Sequence, residues 1–127
     1  VQFQDYTWNF INKKGKILSD DRFLNVGFFA NGFAKVQFQD KTWNFINKKG
    51  KVFKCLNFEK VGSRKDIFIY SPEINLCRTG CFQDTLKNFE KAVLKTHKNN
   101  EEFRNQYLEI INICEEEREK FLKGEIR

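Results

Sequence analysis

The sequence predicts an α+β protein: tandem antiparallel β-meander or hairpin repeats over residues 1–82, followed by a C-terminal helical hairpin over residues 83–127. Three observations predict it. Val1–Lys16 reads VQFQDYTWNFINKKGK and returns as Val36–Lys51, 35 residues on, with only Tyr6 replaced, by Lys41. Self-similarity at a fixed period of this size marks a repeat architecture, in which each unit buries its apolar face against a neighbour. Inside the unit, apolar and polar residues alternate with the period of a half-buried strand. From Asp84 onward the apolar spacing becomes helical.

Each element follows from local chemistry. Val1-Gln2-Phe3-Gln4 alternates as a first strand, and Asp5-Tyr6 (Asp40-Lys41 in the second copy) is a tight turn. Thr7-Trp8-Asn9-Phe10-Ile11 is a second strand, rich in aromatic and β-branched residues. Asn12-Lys13-Lys14-Gly15 closes it with a glycine suited to a type I turn followed by a left-handed residue. Lys16-Ile17-Leu18 is a third short strand, and Asn47–Gly50 with Lys51-Val52-Phe53 repeats the pattern.

Beyond the near-identical block, Phe23, Val26 and Gly27 match Phe58, Val61 and Gly62, as anchors of a connecting segment. Asn31-Gly32 is a further turn. The corresponding stretch from Ser63-Arg64-Lys65 leads into a strand at Ile67–Tyr70, which Ser71-Pro72 stops, so a third unit is expected to be degenerate. Thr85 caps a first helix with apolar positions Leu86, Phe89, Val93 and Leu94. His97–Asn100 breaks it, and Asn99 with Glu102 resembles a capping box for a second helix. That helix carries Phe103, Tyr107, Ile110, Ile111 and Cys114 on one face, and Phe121 and Leu122 further on.

Composition bounds the function. Fifteen Phe, three Tyr and two Trp supply a core dominated by Phe. No apolar run approaches the ~20 residues that span a bilayer, so no membrane partner is expected. The net charge of +6 lies on the repeats: 10 Lys/Arg face 4 Asp/Glu in Val1–Lys54, while Cys55–Phe82 carries +1 and Gln83–Arg127 carries −1. The chain lacks Met and opens in mid-unit, so residues are expected upstream, and whether they include further repeats is left open. Basic, cysteine-poor repeats with an acidic helical tail fit the cytoplasm.

At Trp8-Asn9-Phe10-Ile11-Asn12-Lys13-Lys14-Gly15-Lys16, followed by Phe23-Leu24-Asn25-Val26 and Gly32-Phe33-Ala34-Lys35-Val36, the chain resembles the WG repeat of bacterial and phage proteins. Phe58-Glu59-Lys60-Val61 repeats the middle element, and the resemblance spans residues 1–62. The Gly that follows Trp in that family is Asn9 and Asn44 here. The helical tail lies outside the pattern. The resemblance implies a β-rich binding array without enzymatic chemistry or cofactor.

Trp8 and Trp43 read as core anchors of each unit, with exposed stacking platforms as the alternative. The candidate binding residues are the lysines of the hairpin loops, Lys13, Lys14 and Lys16 with Lys48, Lys49 and Lys51, together with Lys41 of the varied turn. A recurring row of lysines suits an acidic protein surface or a phosphate backbone, and as a plain solvated turn it serves solubility. Cys77, Cys81, His97 and Cys114 contain enough ligands for zinc, but His97 and Cys114 lie too far apart in sequence to be the usual second pair. A Cys77–Cys81 disulfide is the other bonded option, and free thiols the simpler one. A Cys81–His97 nucleophile pair lacks an announced orienting group, and Asp20, Asp21 and Asp66 belong to no acid–base motif.

The expected function is therefore non-catalytic binding to another protein, possible partners including a nucleoprotein complex. A phage- or mobile-element-encoded inhibitor of a host defence or nucleic-acid-handling protein is the specific form of that expectation. Direct nucleic-acid binding through the basic loops and a self-assembling structural module are its rivals. No cofactor or metal is expected.

Overall fold

The computed structural model describes residues 1–62 and 66–125. The chain is α+β, with two four-stranded antiparallel sheets followed by two helices. Ser63, Arg64 and Lys65, which open the expected third unit, lie outside the described residues. Two compact units divide the chain, Val1–Cys55 and Leu56–Arg127. The change from strand to helix falls separately, between Asp84 and Leu86, close to the 82/83 boundary read from the sequence.

In the first unit, β1 (Asn25–Val26), β2 (Phe33–Gln37), β3 (Trp43–Asn47) and β4 (Val52–Phe53) pair in sequence order. The second copy of the repeat forms β2–β4, with Gln37 opposite Trp43 and Ile46 opposite Val52. The first copy keeps that register through single bridges only, Gln2 to Trp8 and Ile11 to Ile17. Both copies are bonded on two sides, but β3 pairs through continuous ladders with β2 and β4, whereas Trp8 meets Gln2 and Phe23 at single bridges. Phe23 bridges Trp8, and Val26 pairs with Val36. The segment expected to be a connector is thus part of the sheet.

Alternation sets the core. Ala34, Val36 and Ile46 face one side with Phe23, and Phe10, Leu18, Val26, Phe29, Phe38 and Val52 pack around them. Trp43 pairs with Gln37 on the opposite face of the pleat. Both tryptophans are half-buried and neither belongs to this cluster. The expectation that they anchor the core is corrected: Phe23 and the aliphatic residues do so.

The second unit goes beyond a degenerate repeat. β5 (Leu56–Val61), β6 (Asp66–Ser71), β7 (Leu76–Thr79) and β8 (Phe82–Asp84) form a complete meander. Pro72 turns the chain between β6 and β7 instead of ending the sheet, and the Arg118 guanidinium donates to the Pro72 and Glu73 carbonyls at 2.5 and 3.1 Å. Phe58 and Val61 lie in β5, again strand where a connector was expected.

Helix α1 (Leu86–Thr96) starts as read, with the Thr85 hydroxyl accepting from the Asn88 N–H at 3.3 Å. It buries Leu86, Phe89 and Val93, while Leu94 faces outward at 45 % exposure. Helix α2 (Glu101–Leu122) is capped by Asn100, whose Oδ1 accepts from the Phe103 N–H at 3.1 Å. The cap therefore lies one residue after the expected Asn99, which leaves Glu101 and Glu102 in the first turn, where the helix dipole favours them. Tyr107, Ile110, Ile111 and Cys114 are buried with Val61, Phe68, Tyr70 and Cys77. The helical hairpin thus shares a core with its own sheet. Leu122 is 65 % exposed and takes no part in it.

Candidate binding groove

The two lysine loops are built alike. The Asn12 side-chain oxygen accepts from the backbone N–H of Lys14 and Lys16, both at 2.9 Å, and Asn47 does the same for Lys49 and Lys51 at 3.0 Å. Gly15 and Gly50 donate back to the Asn12 and Asn47 carbonyls at 3.0 Å from left-handed conformations, φ +81° and +85°. An Asn before a three-residue turn ending in Gly encodes this geometry. In the other turn, Asp5 and Asp40 accept from the N–H and hydroxyl of Thr7 and Thr42. These bonds hold both carboxyls below their ordinary pKa. Tyr6 and Lys41 sit there at φ +65° and +72° with exposed side chains.

Identical loops do not have identical surroundings. Around Gly15 there is open space, whereas a Cβ on Gly50 would collide with the Leu18 carbonyl oxygen. The second loop is pressed onto the third strand segment of the first copy. Between them lies a groove of about 460 Å³. Its floor is Phe10, Ile11, Ile17, Leu18 and Phe29, with the Phe10 and Phe29 rings 4.8 Å apart. Lys16 from one loop and Lys48 and Lys49 from the other stand on its rim. Ile11 and Ile17 are 50 % and 43 % exposed.

Of the seven lysines singled out in the sequence, the structure brings these three together. Lys13 and Lys14 are exposed but do not line the groove. Lys41 occupies the tip of the other turn, and the Lys51 ammonium lies over the Phe53 ring, 4.9 Å from its centre. The apolar floor was missed from sequence. Its one signal was apolar residues directly flanking a lysine loop, and their copies in β3 and β4, Ile46 and Val52, are core.

The asparagines in place of glycine have a structural job. Asn9 is fully buried; its amide donates to the Ser19 and Asp21 carbonyls at 2.7 and 2.8 Å, and its oxygen accepts from the Phe10 N–H at 2.7 Å. The Asn44 oxygen accepts from the Cys55 N–H at 2.9 Å. Each ties its strand to the segment that follows the third strand of its copy.

All four cysteines are free thiols. Burial pushes Cys55, Cys77 and Cys114 up to about 12, and Cys81 is exposed. Among the described residues, no three His, Cys, Asp or Glu side chains converge as metal ligands. Among the described residues, no helix is long and apolar enough to cross a membrane. Compared with protein-family models, curated proteins and solved structures, the chain finds no match.

Proposed function

We propose that the protein is a non-catalytic protein-binding module, and that the groove between the two repeat copies takes an acidic segment of its partner. The observation that carries this reading is the joint presence of an apolar floor and three lysines from two loops on one groove. A floor with two half-exposed isoleucines offers burial for aliphatic anchors, and the lysine rim fixes the sign of the flanking charge. A bare phosphate backbone would use the rim and leave the floor idle. Taken with the WG-like motif, such binding is the step an inhibitor of a host defence or nucleic-acid-handling protein needs: occupying an acidic surface without chemistry.

The test is selection from a displayed random peptide library, followed by affinity measurement on the enriched peptides. Enrichment of Asp/Glu around aliphatic residues, with binding lost in the triple variant Lys16→Glu, Lys48→Glu, Lys49→Glu, supports the reading. Peptides without acidic character, or binding indifferent to the triple variant, count against it. Tight binding to an oligonucleotide with no peptide enrichment would favour the nucleic-acid rival.

A further inference from the structure

We propose that the acidic outer face of α2 docks in the lysine-rimmed groove of a second copy of this chain, joining copies head to tail. The inference rests on the reading of the groove as a site for acidic segments, and it names a second copy as the partner. The groove is lined entirely from the Val1–Cys55 unit. Lys16 stands on one loop at its rim, and Lys48 and Lys49 on the other.

Helix α2 carries the complementary chemistry. It holds seven Glu against Arg104, Arg118 and Lys120. Those three cations are engaged elsewhere. Arg104 donates to the Lys98 carbonyl at 2.9 Å, Arg118 donates to the Pro72 carbonyl, and the Lys120 ammonium lies 3.4 Å from Glu117. Glu109 and Glu116 are exposed, and Ile113 between them is 40 % exposed. Ile113 follows Glu109 by four residues and precedes Glu116 by three, a spacing that puts all three on one side of a helix. The two glutamates are about 10 Å apart along the axis. An aliphatic anchor thus has a carboxylate one turn to either side, matching an apolar floor with ammonium groups from two loops.

Groove and helix face belong to different units, so the contact is heterologous. Each chain offers one of each, and chains add in succession unless the rotation closes a ring. A groove filled in this way is closed to any other acidic segment, so assembly sets how much of the protein is free to bind.

Sedimentation velocity on the full chain, from about 10 μM to about 1 mM, tests this. A contact of this size is weak, and assembly is expected to develop near about 0.1 mM. The groove variant is Lys16→Glu, Lys48→Glu, Lys49→Glu, and the helix variant is Glu109→Gln, Ile113→Ser, Glu116→Gln. Each is checked for an unchanged circular dichroism spectrum, and each is expected to raise the concentration needed by about tenfold or more. The groove variant takes the net charge of +6 to zero, which by bulk electrostatics alone would promote association. Its loss of assembly therefore has the opposite sign to a diffuse charge effect. Mixed together, the two variants are expected to form a 1:1 pair and nothing larger, because the mixture keeps one intact helix face and one intact groove per pair. Association that survives either variant, or a mixture that does not pair, overturns the proposal. A wild-type chain that stays monomeric to about 1 mM yet binds a selected acidic peptide overturns this inference alone. If it binds no such peptide either, the reading of the groove falls with it.

Discussion

Gly50 rests against the main-chain carbonyl of Leu18, so the lysine loop of the second repeat copy is seated on the first copy. The contact lies within one compact unit and defines one wall of the groove that holds Lys16, Lys48 and Lys49. A Cβ placed on Gly15, the same residue in the same sequence context, would meet nothing within 4 Å. Two identical glycines thus face different constraints, one conformational and the other conformational plus steric.

Alanine substitution separates the two. Gly15→Ala meets only the left-handed backbone penalty and is expected to cost about 1–2 kcal/mol. Gly50→Ala meets the same penalty and must also displace Leu18, so a loss of about 2–4 kcal/mol is expected. Urea denaturation of the two variants checks this. Equal losses would show that the second loop does not press on Leu18.

Asn9 carries three side-chain hydrogen bonds in a fully buried position, and Asn44 carries one to Cys55. Truncating the first leaves the Ser19 and Asp21 carbonyls short of a donor. Asn9→Ala is expected to destabilise by about 2–4 kcal/mol and Asn44→Ala by about 1–2 kcal/mol. Asn9→Asp tests direction as well as size: it keeps an acceptor for Phe10, loses both donors and buries a charge, so it should be worse than alanine. A milder effect of Asp than of Ala in thermal melts would refute the bonding scheme.

What could be read from sequence follows from how local each cause is. Loop geometry was legible because Asn12, Gly15 and their copies determine it within five residues. The Thr85 cap and the buried stripe of α2 were legible for the same reason. Burial was not, because it depends on neighbours. Ile46 lies between Ala34 and Val52 and is fully buried, whereas its copy Ile11 bridges Ile17 and is half-exposed. The same sequence yields core in one place and groove floor in the other. Trp8 and Trp43 misled for a related reason: size favours burial, but strand alternation placed Trp43 on the face opposite the aliphatic core. The β7–β8 hairpin was missed because Pro72 reads as a stop in one dimension, while in three it is a turn held by Arg118 from α2.

Burial of the thiols makes stability fall in alkali. Cys77 and Cys114 are fully buried with pKa values pushed up to about 12, against 9.0 for an ordinary thiol. The folded chain therefore keeps protons that the unfolded chain releases above pH 9. Stability is full below pH 9 and declines as pH rises towards 12. Each of these thiols is expected to cost about 1 kcal/mol between pH 8 and pH 10, with Cys55 adding to the loss. Urea midpoints across that range measure it, and Cys114→Ala should flatten the decline by one thiol's share. An unchanged slope in that variant would remove Cys114 from the account.

The groove makes the sharpest demand on the seven lysines, because only three of them line it. Lys13 and Lys14 carry the same charge and belong to the same loop sequence, so they serve as matched controls for Lys48 and Lys49. If net charge alone drew the partner, Lys13→Glu with Lys14→Glu would weaken binding as much as Lys48→Glu with Lys49→Glu, since both remove the same total charge. If the groove binds, the second pair should lower affinity for a selected acidic peptide by about tenfold or more, and the first by only about twofold. Salt should then distinguish rim from floor. Raising ionic strength from 0.05 to 0.5 M shortens the screening length and weakens the lysine contribution, while the contacts on Ile11 and Ile17 persist. Replacing those two isoleucines by serine should therefore weaken binding at both salt concentrations by a similar factor. Titration calorimetry on the two lysine pairs and the isoleucine pair, at both salts, decides the matter. Equal losses for the two lysine pairs would mean that the basic charge acts diffusely and the groove has no part in recognition.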